Sequence, residues 1–334
     1  MKIVIGNTEI KHGLFLAPMA GFTDRAMRLI CKSYGAEYLT SEMVSAKAIC
    51  YRDKKTVELC RIEADEAPCA LQLFGHEESV MAEATAMIYE GYAGEVLPCA
   101  IDINMGCPVP KITGNHEGSY LMKDPDLVVR LVSAVAKASP LPVTVKIRAG
   151  YDEKSINACE VAQAAQAGGA SLICIHGRTK TQMYSGKADR EIIARVKESV
   201  SVPVVANGDI LSGEDAISML RQTKCDGVAV ARGAVGNPFI FAEIKALLEG
   251  RQVSPVTQRE KIDTALLQLR LAIEDKGERI AVFESRKQIA EYIKGISGAA
   301  EIRAKINSLE SYSEIKAILE EKVAALQNTN KDDM

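Results

Sequence analysis

The sequence predicts an α/β protein, a (β/α)8 TIM barrel followed by a C-terminal all-α helical-bundle domain. Eight short apolar runs alternate with helical patterns up to about residue 249, which is the element order of a parallel barrel. The runs are apolar almost throughout, as strands covered on both faces require. Past residue 250 the strand signal stops and only helical periodicity remains. We therefore predict a barrel over residues 1–249 and a helical domain over residues 256–334.

The strand and helix patterns alternate in chain order. The predicted strands are Leu14–Ala17, Tyr38–Ser41, Ala70–Phe74, Ala100–Asn104, Val143–Ile147, Leu172–His176, Val204–Asn207 and Gly227–Ala231. Helical patterns include Asp24–Tyr34, Glu77–Glu90, Pro125–Ala138, Ser155–Ala167, Asp189–Ser199 and Gly213–Gln222. A doubly wound open sheet is the alternative, and it is disfavoured because no Gly-x-Gly-x-x-Gly follows the first strand.

The segment Gly250–Pro255 has the composition of a linker. Four helical patterns follow it, at Thr257–Lys276, Ala281–Lys294, Glu301–Ser308 and Ser313–Leu326. Together they make about 75 residues, which is within the usual range for a separate domain.

Composition narrows the class of protein. Apolar residues make up 47% and charged residues 25% of the chain, as is ordinary for a globular protein. The N-terminal segment is too soon interrupted for a signal peptide, and no apolar run reaches the roughly 20 residues that span a bilayer. We expect a cytoplasmic protein without a membrane partner. The net charge of −3 means that nucleic-acid binding would need a local basic surface.

The nine cysteines include no Cys-x-x-Cys pair, which argues against zinc or iron–sulfur ligation. An odd number of cysteines in apolar surroundings indicates reduced thiols. We therefore expect no metal site. We also expect a monomer, although no motif sets the oligomeric state.

The segment Ile101–Pro108 carries the most informative local pattern. It begins as a buried strand and stops at Gly106, Cys107 and Pro108, which strand interiors disfavour. A thiol therefore follows the end of a core strand, where parallel-barrel enzymes hold their reactive groups. The alternative is a small buried core cysteine, a common packing residue.

Polar side chains also follow the other predicted strands at their carboxyl ends. They are Pro18–Gly21, Gln72, Asn104, Lys146 with Arg148, His176–Thr179, Asn207–Asp209, and Arg232 with Gly233. Packing alone gives no reason for this concentration, so we predict the active site at this end of the barrel.

The loops after the seventh and eighth strands favour a phosphate site. Gly208 and Gly233 allow backbone amides to approach a ligand closely, and Arg232 adds a fixed positive charge. These two loops often bind phosphate in this fold. The alternative is that each glycine only turns the chain.

Lys146 and His176 lie near strand ends between apolar neighbours. A lysine there must face the open end of the barrel or lose its hydration. It could stand beside an electron-rich cofactor ring, or form a salt bridge at the rim. His176 is placed like a ligand contact, although a lone histidine is usually structural.

Several motifs occur in a fixed order along these strands. They are Ala17-Pro-Met-Ala-Gly-Phe-Thr-Asp24, Ser41-Glu-Met43, Asp102-Ile-Asn-Met-Gly-Cys-Pro108 with Gly118-Ser119, Lys146-Ile-Arg148, His176-Gly-Arg-Thr179 through Tyr184-Ser-Gly186, Val205-Ala-Asn-Gly-Asp209 and Ala231-Arg232. Together they resemble the tRNA-dihydrouridine synthase family, and its bacterial B-type branch most closely, over nearly the whole chain.

The resemblance implies FMN as bound cofactor, NADPH or NADH as reductant and uridine in tRNA as substrate. It implies Cys107 as the proton donor, and Asn104 and Arg178 as contacts to the uracil base. The residues that it implies for FMN are Pro18, Met19, Ala20, Gln72, Lys146, His176, Asn207, Gly208, Asp209, Ala231 and Arg232. The barrel would then be the FMN-binding catalytic domain and the helical domain the tRNA-binding one.

The residue types suit this chemistry. Hydride delivery to uracil C6 must be followed by protonation of C5. A thiol with an ordinary pKa of about 8.5 remains protonated near neutral pH and can donate that proton. Lys146 would stabilise negative charge on the reduced flavin.

In the helical domain, basic residues outnumber acids over one stretch and permit a basic RNA-binding face. They are Arg279, Arg286, Lys287, Lys294, Arg303 and Lys305, against Glu284, Glu291 and Glu301. A solvated surface of mixed charge is the alternative.

Two rival functions share parts of this pattern. Another FMN barrel acting on a free metabolite, such as a dihydroorotate-dehydrogenase-like or ene-reductase-like enzyme, would use the same phosphate loops but needs no helical domain. A catalytically silent RNA-binding or scaffold protein would not need Asn104, Cys107, Lys146 and His176 together.

Overall fold

The computed structural model describes residues 2–296 and 298–332. Met1, Ser297, Asp333 and Met334, which the two predicted domains include, lie outside the described residues. No helix in the described part of the chain is both long and apolar enough to cross a bilayer.

The structure contains ten strands and fourteen α-helices within those ranges. The strands are β1 Ile3–Ile5, β2 Thr8–Ile10, β3 Leu14–Leu16, β4 Leu39–Ser45, β5 Cys69–Phe74, β6 Ile101–Met105, β7 Val143–Arg148, β8 Leu172–His176, β9 Val204–Asn207 and β10 Gly227–Val230. The helices are α1 Arg25–Ser33, α2 Ala46–Cys50, α3 Lys54–Cys60, α4 Glu78–Tyr89, α5 Pro110–Thr113, α6 Pro125–Ala138, α7 Ala158–Gly168, α8 Arg190–Ser199, α9 Gly213–Thr223, α10 Ile240–Leu248, α11 Gln258–Lys276, α12 Glu278–Tyr292, α13 Ala299–Ile306 and α14 Tyr312–Asp332.

Strands β3 to β10 form one parallel sheet in the order β3-β10-β9-β8-β7-β6-β5-β4. The sheet closes on itself because Leu16 N donates to Tyr38 O (2.9 Å) and Tyr38 N donates to Leu14 O (3.2 Å), joining β3 to the residue before β4. Each of these strands corresponds to a predicted one, so the predicted (β/α)8 barrel is confirmed.

The hairpin of β1 and β2 fills the amino end of the barrel and was not predicted. Its residues Ile3, Ile5 and Ile10 are buried and belong to one apolar cluster with Phe15 and Tyr38 inside the barrel. Side chains thus occupy this end, which leaves the carboxyl ends of the strands as the open end.

Helix starts on the barrel are fixed by local caps. The Asp24 side chain accepts from Met27 N (3.0 Å) at the start of α1. Ser212 and Asp215 form a capping box at the start of α9.

Helices α2, α3, α5 and α10 also belong to the barrel, and none of them was predicted. Short helices contain too few turns to give a clear periodicity in the sequence.

Helices α11 to α14 pack around an apolar cluster of their own. The cluster includes Ile262, Leu269, Ile289 and Ile302, and it also takes in Ala26 of α1. One barrel helix and one barrel loop therefore contact the helical region: α1 packs on α11, and Gly236 in the loop before α10 approaches Glu291 and Tyr292 of α12. The division into two domains stays a prediction.

Candidate active site

A cavity of about 750 Å³ opens at the carboxyl ends of the barrel strands. All of the predicted site residues except Arg178 line it: Pro18, Met19, Ala20, Gln72, Asn104, Cys107, Lys146, His176, Asn207, Gly208, Asp209, Ala231 and Arg232. Each comes from the last residues of a strand or the loop behind it. The barrel therefore brings together side chains that lie up to two hundred residues apart in the sequence.

Cys107 lies just past β6, partly buried in the cavity wall. Its carbonyl oxygen accepts from Ser119 N (3.1 Å) and Ser119 Oγ (2.9 Å), which ties the loop back on itself. Gly118, at φ +62°, allows this approach, since a Cβ there would lie 2.9 Å from Cys107 O. Burial raises the pKa of the Cys107 thiol, against the opposing charges of Arg148 and Lys146. The thiol is thus held protonated at neutral pH.

Gln72 and Asn104 extend the wall beside the thiol. Asn104 Nδ2 donates to Gln72 Oε1 (2.7 Å), and Asn104 Oδ1 accepts from Cys107 N (2.9 Å). Gln72 Nε2 donates to the buried carboxylate of Asp102 (2.7 Å). The two side-chain amides are therefore held in a single orientation by their partners.

Lys146 Nζ points inside the barrel and donates to Asn207 Oδ1 (3.1 Å), while Asn207 Nδ2 donates to Ala229 O (2.7 Å). In the described part of the chain no carboxylate forms a salt bridge with Lys146, so the rim ion pair considered above is not found. Burial lowers the pKa of Lys146, and nearby Arg148 adds to this. A partly buried lysine at the open end of the barrel, with no salt-bridged carboxylate, suits an anionic ligand.

His176 is buried at the end of β8. Burial and the charges of Lys146 and Arg148 lower the pKa of His176 far below its usual range, so the imidazole is neutral. Its Nε2 lies 3.4 Å from Nη1 of Arg178, which can only donate. The ring therefore accepts at Nε2 and carries its proton on Nδ1.

The loops after β9 and β10 present backbone N–H groups to the cavity. Gly208 and Asp209 both have positive φ, +127° and +50°. A Cβ on Gly208 would lie 2.6 Å from Ala188 Cβ, and one on Gly233 would lie 2.1 Å from Ile210 O, so both positions require glycine. Within residues 2–296 and 298–332, the N–H groups of Gly208, Asp209, Arg232 and Gly233 have no protein acceptor.

These free donors and the half-exposed guanidinium of Arg232 fit an anionic group such as a phosphate. Asp209 Oδ1 lies 3.6 Å from Arg232 Nη2, but its carboxylate also accepts from Arg178 (2.8 Å) and from Ala188 N (2.8 Å), so Arg232 is not its sole partner. Burial alone would raise the pKa of Asp209, but these hydrogen bonds and charges lower it.

Arg178 corrects one expectation. It is only 2% exposed and does not line the cavity. Its guanidinium donates to Ser185 O (3.0 Å), Gly186 O (2.6 Å) and Asp209. With its donors used inside the protein, Arg178 is placed to support two loops rather than to contact a base.

Several cavity residues were not assigned a role by the sequence, and four of them carry charge or an aromatic ring that bears on the chemistry. Arg148 Nε donates to Gly106 O (2.7 Å), behind the thiol loop. Tyr184 is 54% exposed and lies under the guanidinium of Arg232, 4.8 Å from ring centroid to Cζ. Lys287 comes from α12, and Lys294 lies two residues past the end of that helix. The sequence pattern had already placed Arg148 at a strand end and both lysines in a basic stretch, but nothing local indicated that the lysines reach this cavity.

Comparisons with known proteins support one family. A family model described as "Dihydrouridine synthase (Dus)" matches residues 15–330. The chain is 38% identical over 331 residues to a probable tRNA-dihydrouridine synthase of Rickettsia conorii, covering 98% of each chain. It is 38% identical over 308 residues to tRNA-dihydrouridine synthase B of Pseudomonas putida, covering 92% of this chain and 90% of that one.

Among solved structures, histamine dehydrogenase from Rhizobium sp. 4-9 superposes with a TM-score of 0.55. The identity is 14%, and the match covers 86% of this chain and 50% of that one, so this chain spans half the length of that protein. The likeness shows the barrel fold alone.

Proposed function

The chain belongs to the dihydrouridine synthase family, as its motifs predict, and we propose that it reduces the 5,6 double bond of uridine in tRNA with bound FMN and NADPH. The observation that carries the proposal is that one cavity contains both a protonated thiol at Cys107 and, at Lys146, a partly buried lysine that forms no salt bridge with a carboxylate of the described residues. The first suits a proton donor, and the second suits an anionic cofactor.

The cavity fits a flavin mononucleotide in chemistry. The free N–H groups after β9 and β10, with Arg232, would hold the phosphate. Pro18, Met19 and Ala20 would border the ring system, and Gln72, Lys146 and His176 would meet its polar edge. When bound and reduced, this cofactor supplies the hydride that uracil C6 accepts.

Cys107 would complete the reduction by giving its proton to C5 of the base. Its raised pKa keeps the proton in place until the ring carbon becomes basic. The thiolate left behind would then take a proton from water, so that each turnover restores the thiol. The neutral His176 keeps the ligand pocket polar without competing with the thiol as an acid.

Two lysines of the helical region, one on α12 and one just past it, support a large RNA substrate. Lys287 and Lys294 project to the rim of the same cavity that holds Cys107, beside Glu291. Lys287 Nζ also lies 4.4 Å from the Phe22 ring centroid. Phosphates of a folded RNA could meet these cations while one unstacked base enters the cavity.

The test uses purified full-length protein and tRNA transcribed without modifications. We expect a yellow protein with flavin absorption bands that, given NADPH, converts uridine in the transcript to dihydrouridine as measured by nucleoside mass spectrometry. NADH in parallel reports the preferred reductant. A colourless protein, or a flavoprotein that leaves the transcript unchanged, would contradict the proposal.

The rival function is reduction of a free metabolite on the same flavin. Free uridine and uracil are therefore tested beside tRNA at equal uracil concentration. Because Lys287 and Lys294 offer a polyanionic RNA contacts that a free base lacks, we expect turnover on tRNA and little on the free compounds. The reverse preference would favour the rival.

A further inference from the structure

Asp102 is a buried carboxylate that no proposed chemical step uses. It lies in β6 and is 5% exposed. Burial raises its pKa, while hydrogen bonds from Gln72 and Thr144 and the charge of Lys146 favour the ionised form. Thr144 Oγ1 donates to Oδ1 of Asp102 (2.5 Å). Burying a carboxylate inside a barrel costs free energy unless its oxygens accept hydrogen bonds. The partners of Asp102 therefore indicate its role.

A chain of hydrogen bonds runs from this carboxylate to the loop that carries the thiol. Gln72 Nε2 donates to Asp102 Oδ2 (2.7 Å), and Asn104 Nδ2 donates to Gln72 Oε1 (2.7 Å). Asn104 Oδ1 then accepts from the backbone N–H groups of Gly106 (3.2 Å) and Cys107 (2.9 Å). Each link connects a side chain of the cavity wall to the next.

The direction of this chain is fixed at both ends. Backbone N–H groups can only donate, so Asn104 must turn Oδ1 to the loop and Nδ2 to Gln72. An ionised carboxylate can only accept, so Gln72 must turn Nε2 to Asp102. Reversing either amide would bring two donors or two acceptors together inside the protein.

We propose that Asp102 is a positioning residue for the Cys107 thiol, holding the Gly106–Cys107 turn through Gln72 and Asn104. It also fixes which amide atoms of Gln72 and Asn104 face the ligand. The role of the thiol as an acid rests on the proposed function, but the coupling between Asp102 and the turn does not.

The decisive test exchanges the two ends of the amide chain. In Asn104→Asp, two carboxylates compete for the single amide donor group of Gln72. In the double variant Asp102→Asn/Asn104→Asp, the chain can run in the reverse direction with every bond made. Residue 102 then donates to Gln72 Oε1, Gln72 Nε2 donates to residue 104, and residue 104 still accepts from the turn. The double variant has the same composition and charge as the wild type.

The readout is the rate at which iodoacetamide alkylates Cys107, followed by peptide mass spectrometry, with the partly exposed thiol of Cys159 on α7 as the internal control. We expect Asn104→Asp to speed alkylation of Cys107 about tenfold, the population shift that one unsatisfied buried group produces. The double variant should return to within about threefold of the wild type, because coupled neighbours are not additive. Cys159 should not change.

Equal alkylation of Cys107 in Asn104→Asp and the wild type would overturn the proposal, and so would a double variant as reactive as Asn104→Asp. If Asn104→Asp alone fails to fold, the double variant is compared with the wild type directly, with thermal unfolding as the measure of folding. The proposed chain of amide hydrogen bonds is wrong if the double variant also fails to fold. It is also wrong if the double variant folds but its Cys107 is alkylated much faster than in the wild type. None of these results depends on activity toward tRNA.

Turnover separates positioning from acid–base chemistry. Replacing Asp102 by Ala should lower kcat on tRNA about 100-fold with KM little changed, as misplacement of a reacting group does. Asp102→Asn should recover most of that loss, since its Oδ1 can accept from Gln72 while Thr144 accepts from its amide. Equal losses in both variants would mean that the carboxylate itself transfers protons, and the positioning role would be wrong.

Discussion

At the scale of single residues, burial sets the charge of each group around the cavity. It raises the pKa of the Cys107 thiol and lowers the pKa of Lys146 and of His176. The neutral form is favoured in all three cases. The thiol can then donate a proton, and the imidazole stays uncharged. An anionic ligand beside Lys146 would stabilise its charged form.

The raised pKa of Cys107 predicts how the reaction depends on pH. The thiol donates only while protonated, so the rate is full below its pKa and falls as pH rises through it. Because burial places that pKa above the ordinary value of about 8.5, the rate should be level through neutral pH and decline only in the alkaline range. Single-turnover reduction of tRNA by pre-reduced enzyme measures this. A rate that rises with pH across that range would contradict the assignment.

Lys146→Met should weaken retention of the flavin. The substitution keeps most of the aliphatic volume and removes the ammonium group that donates to Asn207 inside the barrel. We expect the purified variant to carry less flavin per chain and to need added FMN for full NADPH oxidation. Lys316→Met, at an exposed lysine of α14, is the matched control. Full flavin content in Lys146→Met would contradict the role.

At the scale of elements, the site could be predicted as far as it depends on strand ends. β6, β7 and β8 begin and end within a residue or so of their predicted limits, because their apolar runs are sharply bounded. Gln72, Lys146 and His176 could be singled out because each is a polar residue in the last three positions of a largely apolar strand. Arg178 also follows a strand end, but its loop folds inward, and only tertiary contacts reveal that.

Helix α12 could be predicted as a helix, but its position over the cavity could not. Nothing local distinguishes Lys287 of α12 and Lys294 just past it, which line the cavity, from Lys305 of α13, which does not. Pairing does not separate them either, since Lys294 lies 3.5 Å from Glu291 and Lys305 lies 2.9 Å from Glu301. Arg286 likewise turns to Leu309 O (2.5 Å) and serves the bundle. Which cations face the substrate depends on how the helix is rotated against the barrel.

The double variant Lys287→Ala/Lys294→Ala should raise KM for tRNA with little change in kcat. The slope of log affinity against log salt should also fall by about one for each removed lysine that binds a phosphate. Binding titrations at several salt concentrations check this, with Lys316→Ala as the control for overall charge. An unchanged salt slope in the double variant would exclude α12 from the RNA interface.

At the scale of the whole molecule, the helical region and the barrel are joined by polar as well as apolar contacts. Lys276 Nζ bonds to Asp24 (2.7 Å) and Glu284 (2.8 Å), and Tyr34 OH lies 2.8 Å from Thr264 Oγ1. The sequence predicts a linker and a bundle here, but the bonds that cross to the barrel join residues more than two hundred positions apart. No periodicity or local motif encodes such pairs.

Lys276→Met should therefore destabilise the folded protein by about 1.5–3 kcal/mol, the range for hydrogen bonds to charged groups. Burial alone would lower the pKa of Lys276, but the charges and hydrogen bonds of Asp24 and Glu284 raise it to about 12. Lys276 therefore stays charged in these ion pairs. Urea unfolding measures the loss. Lys316→Met, which removes an exposed pair with Glu320, should cost close to nothing. Equal free energies of unfolding for the two variants would show that the contacts of Lys276 contribute little to stability.

The most direct measurement is a map of dihydrouridine in tRNA from cells that lack this protein, from the same cells given back the wild type, and from cells given Cys107→Ala. We predict that dihydrouridine is lost from one or more positions, returns with the wild type, and stays absent with Cys107→Ala although that variant still binds flavin. A map that does not change when the protein is removed, or one fully restored by Cys107→Ala, would contradict the proposed function.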